Sequence, residues 1–513
     1  MCTPSYCFDD ILMKPLYSNI NSRSEISLST NIASGNRELI LKTPLISSPM
    51  DTVTETTMAI KMALAGGLGI IHRFNTIDNQ VEQVKRVKRH LQYIIKNPYT
   101  LTLENTFEDY QTKCDELNIN SFCIVDMDGH LLNIITKRDI KFAEYNINSN
   151  PNLTISGVIK LLNKQINNLH SIKISDDLPN DLLSVRNIID NAKSIMIKHN
   201  IEKVPVVNLD NKLVGLITWK NVKHFYANEN LASLDKFGRL RVGAAIGIVG
   251  DYKERLEKLI NVGVDLICID VANGFNENVM KISHDIRIKY PELVLMVGNV
   301  CESQGFKALA DIGIDCVRVG IGNGSICTTR GETGIGFGQF SAVNECFDCK
   351  VENNLDVKII CDGGSLGKTG NKVKALASGA SAVMLGRTLA ATEESPGQVI
   401  IRNGKRFKYI RGMASTMANI SKQEADNSIM SSNSKKRKLN TKFTAEGVDG
   451  EQELRGSVVD LIEQINGGLR SGLSYLGSHN MTELHMKRAN NEIKFCVSTA
   501  IGLSETGIRV KTY

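Results

Sequence analysis

No run of apolar residues in this chain is long enough to cross a bilayer. The most apolar stretch, residues 59–71, is interrupted by Lys61 and falls well short of the roughly 20 residues a membrane helix needs. The first fourteen residues carry Asp9 and Asp10 and lack the basic-then-apolar order of a secretory signal, so the expected location is cytoplasmic. Charge of one sign is also missing. Lys and Arg number 61 against 55 Asp and Glu, and part of the +6 excess sits in one run, Lys435-Lys436-Arg437-Lys438, which argues against a nucleic-acid-binding face. The chain has no disulfide framework either: twelve cysteines in 513 residues stand singly, as Cys268 does inside an apolar run, in the manner of thiols in a reducing compartment. The one CxxC, Cys346 and Cys349, has no second pair and no neighbouring HxxxH, so a helix surface is expected there rather than a zinc site.

What remains is an ordinary soluble composition, 42% hydrophobic and 23% charged, in a chain too long for one domain. Its second half alternates short β-branched runs (266–271, 293–297, 316–319, 357–361, 382–385) with amphipathic stretches such as 279–290 and 303–311. Near-continuous apolar strands with helical crossovers predict a parallel sheet covered on both faces. Asp270, Gly298-Asn299, Gly320, Asp362-Gly363-Gly364 and Gly386-Arg387 follow the strands. Polar and glycine residues at those ends suit the active-site face of a (β/α)₈ barrel, although a doubly wound open sheet shares the alternation. Residues 43–50 and 66–72 look like the first barrel strands.

Between them, residues 95–229 hold an internal repeat: Ser121 to Ile140 and Lys203 to Val222 each read as strand, Asp-rich turn and strand. The expected order is barrel over 1–94, a separable module over 95–229, and barrel again over 230–513. The polar segment 418–444 would be a mobile lid within a flap at about 412–450, with the basic run on its solvated face.

Chemistry concentrates in Gly320-Ile321-Gly322-Asn323-Gly324-Ser325-Ile326-Cys327-Thr328-Thr329-Arg330, directly after a predicted strand. Three glycines let the backbone turn back and present amides or carbonyls to a ligand. Cys327 is thereby held on a loop over the barrel mouth, where backbone amides favour the reactive thiolate. As a dinucleotide fingerprint the same glycines are weak, because no acidic residue closes a following strand at the expected distance. Late-strand glycine turns in barrels commonly bind phosphate, and Arg387 would add a charged clamp there. Asp362, an acceptor, suits ribose hydroxyls instead.

Several motifs together resemble one family. Ser48-Pro49-Met50-Asp51-Thr52-Val53-Thr54-Glu55, the Cys327 loop, Asp362-Gly363-Gly364, Tyr409-Ile410-Arg411-Gly412-Met413 and Gly467-Gly468-Leu469-Arg470-Ser471-Gly472 are similar to the IMP dehydrogenase/GMP reductase family. The repeated module resembles a tandem CBS pair, whose signature lies in strings such as Val204-Pro205-Val206-Val207 and Gly215-Leu216-Ile217-Thr218. The resemblance implies a (β/α)₈ barrel, a homotetramer or an octamer, and Cys327 attacking C2 of a purine nucleotide. It implies substrate contacts from Ser48, Met50, Ser325, Asp362, Gly364, Gly386, Arg387, Met413, Ala414 and Gly447. Of these, Ser325, Gly364, Gly386 and Arg387 would hold the phosphate. The nicotinamide cofactor would meet Asp270, Ala272, Asn273 and Gly320. Backbone carbonyls of Gly322, Gly324 and Cys327 would hold a monovalent cation such as K⁺. The CBS pair would bind ATP, GTP or GMP. Neither membrane nor nucleic acid is an expected partner.

Two reactions share that chemistry. A dehydrogenase oxidises IMP with NAD⁺ and hydrolyses the covalent intermediate, and family members use an Arg-Tyr pair on the flap. From Gly412 to Gly447 this chain has no tyrosine, and its one arginine, Arg437, precedes Lys438. A reductase converts GMP to IMP with NADPH and needs an acid for departing ammonia. Thr329 and Glu446 match the Thr–Glu pair of that subfamily, and a hydroxyl with a carboxylate makes a proton relay. Asp270-Val271-Ala272-Asn273-Gly274 and Arg411-Gly412-Met413-Ala414-Ser415 resemble reductase strings as well. The inserted module is commoner in dehydrogenases. The expectation is therefore a GMP reductase, with IMP dehydrogenase as the alternative. A purely nucleotide-sensing protein with a silent barrel is disfavoured by the intact Cys327 loop.

Overall fold

The computed structural model describes residues 4–91, 93–117, 119–141, 152–164, 169–175, 178, 181–365, 367–418, 420 and 444–499. The basic run 435–438, and with it most of the expected lid, lies outside them. The chain divides into two compact units: Met1–His90, Leu231–Asp235 and Leu240–Tyr513 form one, Leu91–Asn230 with Lys236–Arg239 the other.

The larger unit is a barrel of eight parallel strands: β1 (Leu45–Ser47), β2 (Leu68–Ile71), β3 (Gly243–Ile246), β4 (Leu266–Asp270), β5 (Val294–Val300), β6 (Cys316–Val319), β7 (Lys358–Asp362) and β8 (Ala382–Leu385). Each pairs with its successor, and β8 pairs with β1, which closes the ring and decides against an open sheet. The strands are apolar throughout because both sides are dry. Crossover helices such as Glu277–Lys289, Ser303–Asp311 and Gln339–Glu352 cover the outside. Alternate residues fill the inside, among them Ile46, Leu68, Cys268, Met296, Ile360 and Met384. Ile32, Ala33, Leu39 and Leu41, carried by the short pair Thr30–Asn31 and Ile40–Leu41, join that cluster beside Leu266 and Val294, the first residues of β4 and β5. One mouth of the barrel is thus plugged, and the C-terminal mouth is left for chemistry.

The plug is fastened by a charge. Asp315, fully buried just before β6, accepts from Arg37 Nε at 2.7 Å and Arg287 Nη2 at 2.5 Å. It also takes the amides of Ser34 at 3.0 Å and Leu295 at 2.9 Å. The CxxC differs from expectation: Cys346 and Cys349 do lie on a helix, but on its inward face, 0% and 7% exposed. Their thiols donate to the carbonyls of Glu302 and Ser303, because the helix Ser303–Asp311 packs against that face.

The smaller unit contains the repeat. One half pairs Thr100–Leu101 in parallel with Ser121–Val125, which forms a hairpin with Leu131–Thr136. The other pairs Ile172–Lys173 in parallel with Lys203–Val207, which forms a hairpin with Leu213–Thr218. The halves share a register shift at the same point, between Ile124 and Val125 and between Val206 and Val207. They also share one cap: Thr136 and Asp139 bond reciprocally, as do Thr218 and Asn221. Among the described residues no helix is long and apolar enough to cross a membrane.

Asp315→Ala is expected to destabilise the barrel by about 2–4 kcal/mol, since it strands two partly buried guanidinium groups and two backbone amides. Urea unfolding followed by circular dichroism reads this, and a change below about 1 kcal/mol would mean that solvent screens the cluster.

Candidate active site

The C-terminal mouth of the barrel opens into a cavity of about 420 Å³. Ser48, Met50, Asp270, Ala272, Gly320, Gly322, Gly324, Cys327, Thr329 and Asp362 line it, and so do Met413, Ala414, Glu446 and Gly447. The sequence strings therefore converge from both ends of the chain. Ser325, Gly364, Gly386, Arg387 and Asn273 fall outside the lining. Gly386 still abuts it, because a Cβ there would lie 3.1 Å from Met50 Sδ. Ser325, Arg387 and Asn273 are exposed, and Asn273 Oδ1 accepts the Phe275 amide at 3.0 Å.

Cys327 sits half-buried just before the short helix Thr329–Thr333. Its thiol donates to Thr329 Oγ1 at 3.1 Å, and that hydroxyl donates to Glu446 Oε2 at 2.7 Å. Glu446 arrives from the far side of the flap. It lies just before the strand Asp449–Glu453, which Lys405–Arg411 holds, and the backbone on the N-terminal side of that strand runs alongside the Cys327 loop, Gly447 bridging Cys327. Val448 N–H donates to Ile326 O at 3.0 Å and Thr328 N–H to Glu446 O at 2.9 Å. Two glycines allow this approach: a Cβ on Gly412 would meet Gly447 Cα at 3.1 Å and Ile326 O at 3.2 Å. Arg411 anchors the base of the flap to the β1 loop, with Nε 2.8 Å from Asp51 Oδ2.

Below the cysteine lies a group that the sequence reading did not single out. Arg318, inside β6, bonds Asp270 Oδ1 through Nη1 at 2.5 Å and Asp362 Oδ2 through Nη2 at 2.7 Å. Burial works against its charge, but the pull of Asp362 and Asp270 outweighs that and holds its pKa above the ordinary arginine value. Asn299 adds a bond from Nδ2 to Asp362 Oδ2 at 2.8 Å and another to Gly320 O at 2.7 Å. Arg73 and Phe74, just past β2, complete one wall. The rule used for the later strands would have found these two. An arginine inside an otherwise apolar barrel strand is the signal that could have found Arg318.

The residues beside Asp270 suit a flat, partly charged group: Ala272 and the Phe74 ring are apolar, while Asp270 and the Gly320 backbone are polar. The proposed cation ligands are neutral carbonyls of one turn, in which Gly324 O also accepts the Cys327 amide at 3.2 Å. Neutral oxygen donors suit a large monovalent ion better than a small divalent one.

The IMP dehydrogenase / GMP reductase domain model matches residues 5–508. The chain belongs to this family. It is an oxidoreductase whose family takes IMP or GMP as substrate and a nicotinamide cofactor. Inosine-5'-monophosphate dehydrogenase of Nitrosopumilus maritimus is 40% identical over 479 residues, covering 93% of both chains. The Bacillus subtilis dehydrogenase is 40% identical over 507 residues, 97% of this chain and 94% of that one. Among solved structures, a GMP reductase variant of Trypanosoma brucei in complex with guanosine 5'-monophosphate superposes with a TM-score of 0.79 at 30% identity, covering 99% of this chain and 98% of that one. GMP reductase of the same organism in complex with guanosine 5'-triphosphate gives 0.70 at 26% identity, covering 97% and 99%.

Iodoacetamide at pH 8 is expected to alkylate Cys327 and spare Cys268 and Cys361, whose thiols burial in the barrel pushes up to about 12. GMP or IMP at about 100 times its Kd should slow Cys327 labelling roughly 100-fold, with Cys7 as the unprotected reference. Peptide mass spectrometry reads this, and equal labelling with and without nucleotide would remove Cys327 from the substrate site.

Proposed function

We propose that the chain is a GMP reductase, converting GMP to IMP and ammonia with NADPH. The observation that carries this reading is the line of hydrogen bonds from Cys327 through Thr329 to Glu446. It gives one proton two uses. The thiol proton passes by way of the Thr329 hydroxyl to the Glu446 carboxylate, leaving a thiolate beside a neutral acid. The thiolate adds to C2 of GMP. The bond from C2 to its amino nitrogen then breaks, and the stored proton returns through Thr329 to the amine, which leaves as ammonia. Bound NADPH supplies the hydride equivalent that C2 gains, and Cys327 departs as thiolate when IMP forms. Covalent capture divides one difficult substitution into two easier steps. The absence of an Arg-Tyr pair between Gly412 and Gly447 leaves water without its usual activator.

In this reading Asp362 accepts from the ribose and Arg387, with the Gly364 and Gly386 backbone, serves the phosphate. Asp270, Ala272, Asn273 and Gly320 face the cofactor. The carbonyls of Gly322, Gly324 and Cys327 take K⁺. The duplicated unit acts as a CBS pair that binds a purine nucleotide, a role that rests on its internal repeat and its resemblance to CBS strings. Family resemblance supports a cytosolic homotetramer or octamer. The second reading is IMP dehydrogenase, favoured by the names of the 40% identical relatives.

Absorbance at 340 nm separates the two. GMP with NADPH should lose signal and release ammonia. A rise with IMP and NAD⁺, and XMP formed, would mean a dehydrogenase that activates water through other residues.

Within the reductase reading, Cys327→Ala should cost at least about 10³-fold in kcat while leaving GMP binding. Glu446→Gln should slow ammonia release by about 100-fold or more. Deamination at the unmodified rate would take the acid role from Glu446.

A further inference from the structure

Two carboxylates that the reading above gives to different ligands, Asp362 to the nucleotide and Asp270 to the cofactor, hang on one cation. Arg318 Nη1 holds Asp270 and Nη2 holds Asp362, and the arginine side chain is 6% exposed against 18% for each aspartate side chain. The arginine has no slack at its root. Gly298 stands beside it in register on β5, and a Cβ on Gly298 would lie 2.5 Å from Arg318 Cβ. Among the described residues no hydrogen bond reaches Asp270 Oδ2 or Asp362 Oδ1, so each carboxylate keeps one oxygen for a ligand in the cavity that both line.

A guanidinium is a rigid planar fork, so its two arms cannot be adjusted separately. A ligand that draws Asp362 into one orientation turns the plane, and the plane turns Asp270. We propose that Arg318 is a positioning residue that couples the two sites: nucleotide seated on Asp362 orders Asp270 for the cofactor, and the cofactor returns the effect. The proposal rests on the assignment of Asp362 to the nucleotide and Asp270 to the cofactor. Linkage requires the coupling factor to be the same in both directions.

The test uses the full chain carrying Cys327→Ala, which prevents turnover, with GMP affinity measured calorimetrically with and without saturating NADPH. Cofactor should tighten GMP by about 5-fold or more. Adding Arg318→Met should bring that factor to one. Adding Arg318→Lys, which keeps a charge but not the fork, should restore part of it. An undiminished factor in Arg318→Met overturns the proposal, and so does a factor of one in both the GMP/NADPH and the IMP/NAD⁺ pair before Arg318 is touched. Should Arg318→Met fail to fold, judged by loss of both ligands and of the unfolding transition, Asp270→Ala, which leaves Arg318 Nη1 without its acceptor, cuts the link from the other side. A retained factor there is equally fatal. IMP with NAD⁺ is run in parallel. Coupling in that pair alone would retire the reductase reading and leave the role of Arg318 standing.

Discussion

The backbone seam between the Cys327 loop and the returning arm of the flap decides where the chemistry can occur. Glu446 is far from Cys327 in sequence, and no barrel strand carries it. It reaches Thr329 because Val448 and Thr328 exchange backbone hydrogen bonds with Ile326 and Glu446, at 3.0 and 2.9 Å. The seam closes only where Gly412 and Gly447 let two backbones touch. A side chain at either point would push the carboxylate away from the hydroxyl, and the thiol would lose the acceptor for its proton. The contact between Glu446 and Thr329 is therefore held by main-chain geometry, and residues 412–414 and 446–447 are part of the site itself.

Much of this was legible in the chain because a parallel barrel writes its active face into the residues that follow each strand. Asp270, Gly320, Asp362 and the Cys327 loop were all found by that rule, and all line the cavity. Closure was not legible: the pairing of β8 with β1 and of β2 with β3 joins segments hundreds of residues apart, which local periodicity does not record. Arg318 was passed over because it lies within a strand rather than past its end. Asp315 and its two arginines were invisible for a related reason, since Arg37, Arg287 and Asp315 come from three separate segments. The inward turn of Cys346 and Cys349 depends on which neighbouring helix covers them, again a tertiary fact.

Sequence relatives point to one reaction and structural neighbours to the other, and the disagreement has a physical basis. Identity of 40% over most of the chain is an average over hundreds of positions and does not single out the few at the flap. The reactions diverge only in what happens to one intermediate, and that turns on a few groups at the flap. Fold-level likeness is a weak guide to such a choice. The Trypanosoma brucei reductase matches over 98% of its own length, so this whole arrangement, insert included, is compatible with reductase chemistry. The presence of the insert thus stops counting against a reductase.

The inserted unit carries the same lesson at smaller scale. The strings Val204-Pro205-Val206-Val207 and Gly215-Leu216-Ile217-Thr218, which carry the resemblance to a CBS pair, lie in strands whose core positions are packed. They report how the sheet is built. One polar difference between the halves lies at the shared cap, where the first half has Asp139 and the second Asn221. Burial works to raise the Asp139 pKa, but Lys164 at 2.8 Å and the Thr136 bonds hold it below the ordinary carboxylate range. The halves therefore present one charged and one neutral acceptor on nearly identical backbones. A ligand that needs a hydroxyl acceptor would meet a charge-assisted bond in one half and a neutral one in the other.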